Sequence, residues 1–578
     1  MASDENRNLR YAVDEEPPTL LAAGLGLQVV ILIVAGIVLT PTIVLRAAGD
    51  PGGYTPWAVF AGLLVCGLTT IVQAYRIGRI GAGYVLFMGT SGAFIAISIN
   101  AVESGGVPLL ATLVVASALI QFAFAHRLSA LRKIITPTVG GTIIMLIAVT
   151  VFPICFSMIN QTPSGLEEGS EIGPLMAVIT FGVILGISLF VKGPARLWGP
   201  IIGVIAGSIV AHATGAFDLS AVAAVPWIGL PDATWPGLDL TFGADFWLLL
   251  VPFAIVTIVG AIETYGDGVA IQRLSKRKRE PIDFRAVQGA VNADGMGNLL
   301  SGLAGTLPNT TYSTSLSVVD LTGVAARKVG LFGGLFLIVI GFCPKASVLL
   351  MSIPSPVAGA YIMILLILLF LHGLRLVAEG GLTFETGMVV CVSFWLAIGF
   401  QEQEIFADHL PDWTSGLLDN GMTAGAIVAI ILTFLVSARY GRAKRIVVPA
   451  RDGSIQEIMD FLDRVGADAG WDRDAMARLN LIGEEAMLFL LEGSSAANPK
   501  QARKIRLAVS VKQDAIELDF VSAAAGENLE ALVATFDQTA PSTEEAGVRI
   551  LSGLAERVHH EQFHGVDALV VTVTSRPL

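Results

Sequence analysis

Apolar runs of the length a bilayer demands, about 20 residues, recur throughout the first 450 residues of the chain. They fall at 20–45, 54–73, 107–124, 135–153, 172–191, 197–215, 245–265, 284–303, 329–350, 356–374, 385–400 and 421–440. Two more runs, 84–99 and 310–325, are shorter and rich in Gly, Ser and Thr. Counting both, the pattern predicts a mainly α-helical membrane protein with fourteen crossings.

The basic residues test this count, because Lys and Arg gather on the cytoplasmic side. With the N-terminus inside, Arg7, Arg10, Arg76, Arg79, Arg127, Arg132, Lys133, Lys192, Arg196, Arg273, Lys276, Arg277, Lys278, Arg279, Arg285, Arg327, Lys328, Arg375, Arg439, Arg442, Lys444 and Arg445 share one face. Only Arg46 and Lys345 fall on the other, a split of 22 to 2. That other face carries Glu103, Glu167, Glu168, Glu171, Glu402, Glu404, Asp408, Asp412 and Asp419. Omitting either short run inverts every loop between the two and destroys the pattern. Both termini are therefore expected in the cytoplasm.

The short runs hold matching places, starting about 64 residues after the first long run and about 65 after the eighth crossing begins. Seven plus seven crossings, an odd number per half, must repeat in inverted orientation. Short, Gly-interrupted segments at corresponding positions of two halves point to a transporter's midplane site. Non-helical backbone survives at that depth only where it lines a cavity, since lipid satisfies no N–H or C=O group. Each short run is expected to be an extended stretch followed by a half helix, the alternative being two poorly apolar spans without a shared role.

Composition divides the chain further. Hydrophobic residues make up 54% of its 578 positions, charged residues 15%, and the mean hydropathy is +0.71. That balance excludes a water-soluble enzyme for most of the length. Residues 451–578 hold 33 of the 84 charged residues, about 26% of their positions against about 11% before them. A cytoplasmic tail at 1–19, a membrane body at 20–445 and a small cytosolic α/β domain at 446–578 follow. The net charge of −12 splits into −3 for the first 450 residues and −9 for the remainder, which argues against nucleic acid as a partner. The opening MASDENRNLRYAVDEEPP is polar and acidic, so no removable signal peptide is expected. Cys66, Cys155, Cys343 and Cys391 lie in or beside apolar runs without CxxC spacing and read as small core residues, not zinc ligands or disulfides.

Ionisable side chains at membrane depth are costly and are functional candidates by default. The eighth crossing continues AIVTIVGAIETYGDGVAIQRL, placing Glu263 and Asp267 four apart on one helix face. Glu263 is suited to accept hydrogen bonds from ring N–H groups, and either acid to exchange a proton; the competing reading has both capping the helix in water. Asp294, within VNADGMGNLLSGLAG, reads equally as a coupling residue or a buried hydrogen-bond acceptor. Gly295, Gly297, Gly302 and Gly305 beside it suggest close helix approach. In the second short run Tyr312 offers a ring face, and Ser313, Thr314 and Ser315 offer hydroxyls and N–H groups at a half-helix start, where the positive dipole end favours an electron-rich ligand. Asp320 and Thr322 read equally as structural. The first short run supplies Thr90, Ser91, Gly92 and Ala93, then Phe94, which is packing or a stacking ring. His126 and His372 border helices, His212 and His409 sit on outer loops, and His559, His560 and His564 lie in the tail, so no histidine proton relay is expected.

These residues resemble the xanthine/uracil permeases, the nucleobase/ascorbate transporter family, over roughly residues 20–440. GLQVVILIVAGIVLTP, GTSGAF, ETYGD and LPNTTYSTSLSVVDLTGVAARKVG carry the likeness, the last being the most specific. The resemblance implies the seven-plus-seven inverted fold with a core and a gate domain, and uptake of a nucleobase coupled to protons or, in some members, sodium. It implies that Glu263 holds the base, that Asp267 is the second polar group of its helix, and that Tyr312, Ser313 and Thr314 take the places of a stacking aromatic, a backbone donor and a substrate-facing side chain. It also implies a homodimer in lipid, here in a bacterial inner membrane, binding a small solute and no resident cofactor. The chain departs from the pattern at several points. Thr314-Ser315 replace a Gln/Glu-Asn pair, Ser317 a Gly, Val29 a His after Gln28, and Gly92 the first aromatic of a Ser-Phe-Ala-Phe segment. The pocket thereby lacks a ring and a long amide.

The tail resembles the ATPase module of histidine kinases and anti-sigma factors over roughly 453–576. Two amphipathic helices are expected after Arg445, then strands in KIRLAVSVKQDAIELDFVS and DALVVTVTSRPL around a helix, GVRILSGLAERVHH. Where that module has a magnesium-holding Asn four residues after Glu485, this chain has Phe489, and no Asp precedes Gly526 at the adenine-contacting spacing. A degenerate module is expected, regulatory, dimerising or stabilising, without MgATP. No GxxxxGK[ST] loop occurs, which disfavours primary pumping. The alternatives to a proton-coupled nucleobase symporter are an anion exchanger of the same inverted fold and a solute sensor signalling through the tail.

Overall fold

The computed structural model describes residues 9–125, 136–163, 166, 170–217, 220–231, 235–277, 283–379, 381–402, 405, 418, 421–439, 444–451, 453–495, 504–511, 515–522, 551, 553–563 and 566–575. Arg7, His126, Arg127, Arg132, Lys133, Glu167, Glu168, Lys278, Arg279, Glu404, Asp408, His409, Asp412, Asp419, Arg442, His564 and the stretches 523–526 and 547–550, all weighed above, lie outside the described residues. The chain divides into two units, one of Asn8–Ser275 with Ala286–Thr433, the other of Met1–Arg7, Lys276–Arg285 and Phe434–Leu578.

In the first unit α1 (Thr19–Ala47) and α2 (Thr55–Tyr75) lead to β1 (Met88–Thr90), a 3-10 turn at Gly92–Phe94 and α3 (Ile95–Ala125). Next come α4 (Pro137–Asn160), α5 (Ile172–Phe190), α6 (Gly199–Ala213), the short α7 (Ser220–Ala224) and α8 (Ala244–Ser275). The sequence continues through α9 (Phe284–Ala304), β2 (Asn309–Thr311), α10 (Thr314–Thr322), α11 (Arg327–Gly341) and α12 (Pro344–Met351) to α13 (Ser355–Glu379), α14 (Phe384–Gln401) and α15 (Gly421–Arg439). Hydroxyls in the apolar helices turn back on their own carbonyls: Thr40, Thr42, Thr69 and Thr70 each donate one turn back, which satisfies them without a partner helix.

Among the described residues nine helices are long and apolar enough to cross a membrane, ten if α11 and α12 are one bent span. Runs 284–303 and 421–440 form the helices α9 and α15 without meeting that test, and the others take other forms. Residues 84–99 become β1, the 3-10 turn and the start of α3, whose helix breaks at Gly105 and Gly106. Gly106 has φ 72°, a backbone region that favours glycine. Residues 310–325 become β2 and the nine-residue α10. Both short runs are thus an extended piece followed by helix. The run 329–350, expected as one span, bends by 82° ahead of Pro344, whose ring and missing N–H stop a continuous helix.

Small residues set the helix contacts. A Cβ on Gly67 of α2 would lie 2.6 Å from the Gly334 carbonyl oxygen of α11, and one on Gly334 would lie 2.5 Å from that of Gly67. Gly141 of α4 and Gly373 of α13 repeat this at 2.5 and 2.6 Å. Backbones approach this closely only without side chains, which is how helices associate where apolar burial gives no drive. Cys66 and Cys155 are buried as expected, but Cys343 is half-buried and Cys391 exposed. An apolar run does not by itself separate a core-facing position from an outward-facing one. His372 lies within α13, which runs on to Glu379 rather than stopping near 374.

The segment ahead of α1 forms a strap. Gly323 O accepts from the N–H groups of Arg10 (2.7 Å) and Tyr11 (3.0 Å), and Tyr11 O accepts from Ala325 N (2.9 Å). Leu9 and Val13 are buried with Val318 and Val324. Asp14 pairs with Arg327 at 2.9 Å and Glu16 with Lys328 at 2.5 Å.

The second unit carries a five-stranded antiparallel sheet in the order β3-β4-β5-β7-β6, formed by Lys444–Pro449, Lys504–Val511, Ala515–Ser522, Val566–Thr574 and Arg557–Phe563 respectively. Helices α16 (Ser454–Asp468) and α17 (Arg473–Ser495) cover one face through Leu462, Leu479 and Ile482 against Leu507, Leu518 and Phe520. Two expectations change here. RVHH, read as a helix end, opens β6, which pairs with β7 from Arg557↔Thr572 to Phe563↔Val566. Strand β3 at 444–449 had no counterpart in the sequence reading. Both strands flank others, and pairing along a neighbour's backbone decided their state over local preference.

Candidate solute-binding site

Strands β1 and β2 meet antiparallel, Met88 opposite Thr311, Gly89 opposite Thr310 and Thr90 opposite Asn309. Each is followed by helix, so two helix N-termini converge beside one small crossing. Gly89 permits the approach, since a Cβ there would stand 2.2 Å from Tyr312 Cζ. The Tyr312 hydroxyl donates to Thr90 O at 2.8 Å and its N–H to Phe87 O at 2.8 Å. Its ring is therefore fixed against the crossing. Ser315 pins the same joint: its hydroxyl donates to Tyr312 O at 2.7 Å and accepts from Phe87 N at 2.8 Å, so it is fully engaged within the protein.

Helix α8 lies alongside. Asp267 sits two turns before the helix end and is 6% exposed, not a solvated cap. Its Oδ2 accepts from Thr311 Oγ1 at 2.7 Å and its Oδ1 from Ser313 Oγ at 3.0 Å. Hydrogen bonds to an ionised carboxylate are the strong kind, so α8 is tied to both β2 and the start of α10. Glu263, one turn earlier, is half-buried, and among the described residues its carboxylate takes part in no hydrogen bond. A carboxylate in that setting is free to receive donors from a solute. Thr314, the first residue of α10, is half-buried. Gly92 is half-buried too, and a Cβ there would have no heavy atom within 4 Å, so open space adjoins it. Phe94 is buried with its ring 5.8 Å from Phe253 of α8 and serves as packing. Thr322 donates to its own helix at Val318 O, and Asp320 is exposed at the far end of α10.

Asp294, on α9, is 1% exposed. Its Oδ2 accepts from Gln121 Nε2 of α3 at 2.7 Å, while its Oδ1 has no hydrogen-bond partner. Gln121, Asn298, Asn309, Thr69 and Thr264 join this polar cluster, and sequence reasoning passed over them all. The available signal was an amide inside an apolar run, where an unpaired polar group costs several kcal/mol, about 2–7 on transfer scales. Among the described residues no group of three His, Cys, Asp or Glu could hold a metal ion. A separate cavity of about 320 Å³ lies between the ends of α1 and α4 and the start of α13, with Arg46, Glu103, Ser157 and Gln161 on its wall and none of the three acids.

Broken segments meeting beside membrane-helix acids, in a body of long apolar helices, define an integral membrane permease, not an enzyme. Residues 22–406 match the xanthine/uracil permease model, described as "Permease family", and the chain belongs to that family. Xanthine permease XanP of Escherichia coli K12 is 27% identical over 454 residues, covering 75% of this chain and 96% of that one. Uric acid permease PucK of Bacillus subtilis 168 is 28% identical over 415 residues, covering 71% and 94%. The inward-facing structure of the murine anion transporter Slc26a9 shares the fold, with a TM-score of 0.50 at 13% identity over 75% of this chain and 70% of that one.

Proposed function

We propose that the protein is a secondary active transporter that takes up an oxopurine-like nucleobase with protons across a bacterial inner membrane. The observation that carries this reading is the Glu263 carboxyl group, half-buried beside the β1–β2 crossing and, among the described residues, without a hydrogen bond. An oxopurine presents ring N–H groups that such a carboxylate accepts, and open space adjoins Gly92 at the start of the first broken segment's helix. The relatives are xanthine and uric acid permeases, which favours a purine over a pyrimidine.

In this reading fourteen crossings form a seven-plus-seven inverted repeat with both termini in the cytoplasm. The break at Gly105–Gly106 separates the first half helix from the fourth crossing, and α10 is the matching half helix of the second repeat. The crossing, α8 and α9 belong to a core that moves against a gate, supported by a homodimer. Glu263, Thr314, Ser313 and Tyr312 face the solute, with Ser315 holding the joint. Asp267 and Asp294 carry the coupling. An anion exchanger is disfavoured, since among the described residues no cation is one of the groups acting on Glu263, Asp267 or Asp294 to hold an anion there.

The test is uptake of radiolabelled xanthine, uric acid and uracil by cells lacking their own permeases. Wild type should concentrate a purine, and a protonophore should abolish this. Glu263→Gln should lose about 100-fold in uptake at unchanged expression, since a charge-assisted hydrogen bond is worth about 1.5–3 kcal/mol. Undiminished uptake by that variant removes Glu263 from the site.

A further inference from the structure

The polar groups around Asp294 form a chain whose direction is dictated by the backbone. The Asn309 N–H of β2 must donate, and it does so to Asn298 Oδ1 at 2.8 Å. The Asn298 amide is thereby oriented, and its Nδ2 donates to Gln121 Oε1 at 3.1 Å. Gln121 is oriented in turn, and its Nε2 reaches Asp294 Oδ2 at 2.7 Å. Amide oxygen and nitrogen have fixed roles as acceptor and donor, so no member of the chain turns over without breaking a neighbour. At the other end Asn309 Nδ2 donates to Thr69 Oγ1 at 3.3 Å. Gly297 makes room for this packing, because a Cβ there would stand 2.3 Å from Asn309 Nδ2.

With Oδ2 facing the Gln121 donor, the oxygen better placed to take a proton is Oδ1, which is buried and has no hydrogen-bond partner among the described residues, the Thr264 hydroxyl of α8 being the other polar group that acts on this carboxyl. The charged groups acting on Asp294 are Asp267 and Glu263 of α8, both acidic. The groups that α3, α2 and β2 contribute to the chain are amides and hydroxyls. We infer that Gln121 is the positioning residue of a proton site: it holds Asp294 so that a proton enters at Oδ1, and through Asn298 and Asn309 it ties that event to the β1–β2 crossing. The inference rests on the proton-coupled reading for its purpose, but its test does not need transport.

Infrared difference spectra of the purified full-length protein between pH steps would contain a protonated-carboxyl band, assigned to Asp294 by its loss in Asp294→Asn. Removing the donor in Gln121→Leu disfavours the anion, so the band's midpoint should move to alkaline pH by about half a unit or more. Gln121→Met, similar in length but without a donor, should do the same and serves if the leucine variant misfolds. Asn298→Ala frees the Gln121 amide and should move the midpoint in the same direction by less. An unmoved midpoint in both Gln121 variants, or a band surviving in Asp294→Asn, overturns the assignment. A shift in the Gln121 variants with none in Asn298→Ala overturns the link to the crossing. Wild type that titrates in this way but takes up no xanthine or uric acid refutes the proposed function and leaves this assignment standing.

Discussion

Gly89 and Gly92 lie three residues apart at the first broken segment and answer to different constraints. A methyl on Gly89 would press into the Tyr312 ring at 2.2 Å, and that ring cannot swing away because its hydroxyl is held by Thr90 O. Gly89→Ala should therefore destabilise the protein by about 1–3 kcal/mol or more, as overpacking does, read as a fall in melting temperature in detergent. Gly92→Ala meets open space and should melt like wild type; an equal fall in both would deny that the crossing is tight at only one of them. Ser313→Ala removes one of two hydroxyl donors to Asp267 and should raise the KM for the purine about tenfold, near the lower end of the roughly 1.5–3 kcal/mol of a hydrogen bond to a charged group, while Ser317→Ala, which lies one turn on, should not. The acids were legible because a charge in an apolar helix is conspicuous. Their partners were not: Gln121 is a lone amide and Thr69 one of a threonine pair in apolar runs, and only the fold shows that they converge.

At the scale of elements the long helices were legible from run length, and the two broken segments from their Gly, Ser and Thr content and matching places. The register that joins β1 to β2 was not, since three residues carry too little alternation to read as a strand. The N-terminal strap escaped for a similar reason: residues 9–16 look like a polar tail, yet they add a strand-like contact to the end of α10. Tyr11→Pro deletes one of the two N–H groups that reach Gly323 O, with Arg10 N–H still donating there, and should destabilise the strap by about 0.5–1.5 kcal/mol, the net worth of one hydrogen bond, detectable as faster proteolysis at 9–16. Its outer ion pair also sets a pH sign. The Glu16 carboxyl is held below its ordinary range by the hydrogen bond and charge of Lys328. Whatever stability it lends is present above the ordinary glutamate range and is lost as pH falls through the lowered value. Glu16 is well exposed and Lys328 half-buried, so the effect is small and should fall in high salt. Acid-enhanced cleavage that salt does not alter would place the strap's stability elsewhere.

At the scale of the molecule the two units obey different solvents. Trp395, Phe384, Phe190 and Trp247 stand more than half exposed on the long helices, which water would penalise and lipid does not. The tail instead buries Phe520, Leu518 and Leu507 beneath amphipathic helices and leaves Glu457, Asp460, Asp463, Asp468 and Glu484 exposed, as a body in water does. Its sheet and two helices were legible in part; β3 stayed hidden because its partner β4 is distant in sequence, and β6 because RVHH reads as the end of the preceding helix although its partner β7 follows at once. The question it poses is whether it spends ATP. Phe489 occupies the position where the resembling ATPase module keeps a magnesium-holding Asn, and its ring packs partly buried against the tail's core. An aromatic ring there supplies no oxygen to a metal. MgATP at about 1 mM should leave the melting temperature of the full-length protein unchanged, whereas binding at a hundredth of that concentration would add about 2.7 kcal/mol. Purine uptake should correspondingly survive ATP depletion in membrane vesicles given an imposed proton gradient and collapse when a protonophore removes it. A melting shift with MgATP that Phe489→Asn enlarges would instead make the tail a weakened but working nucleotide site.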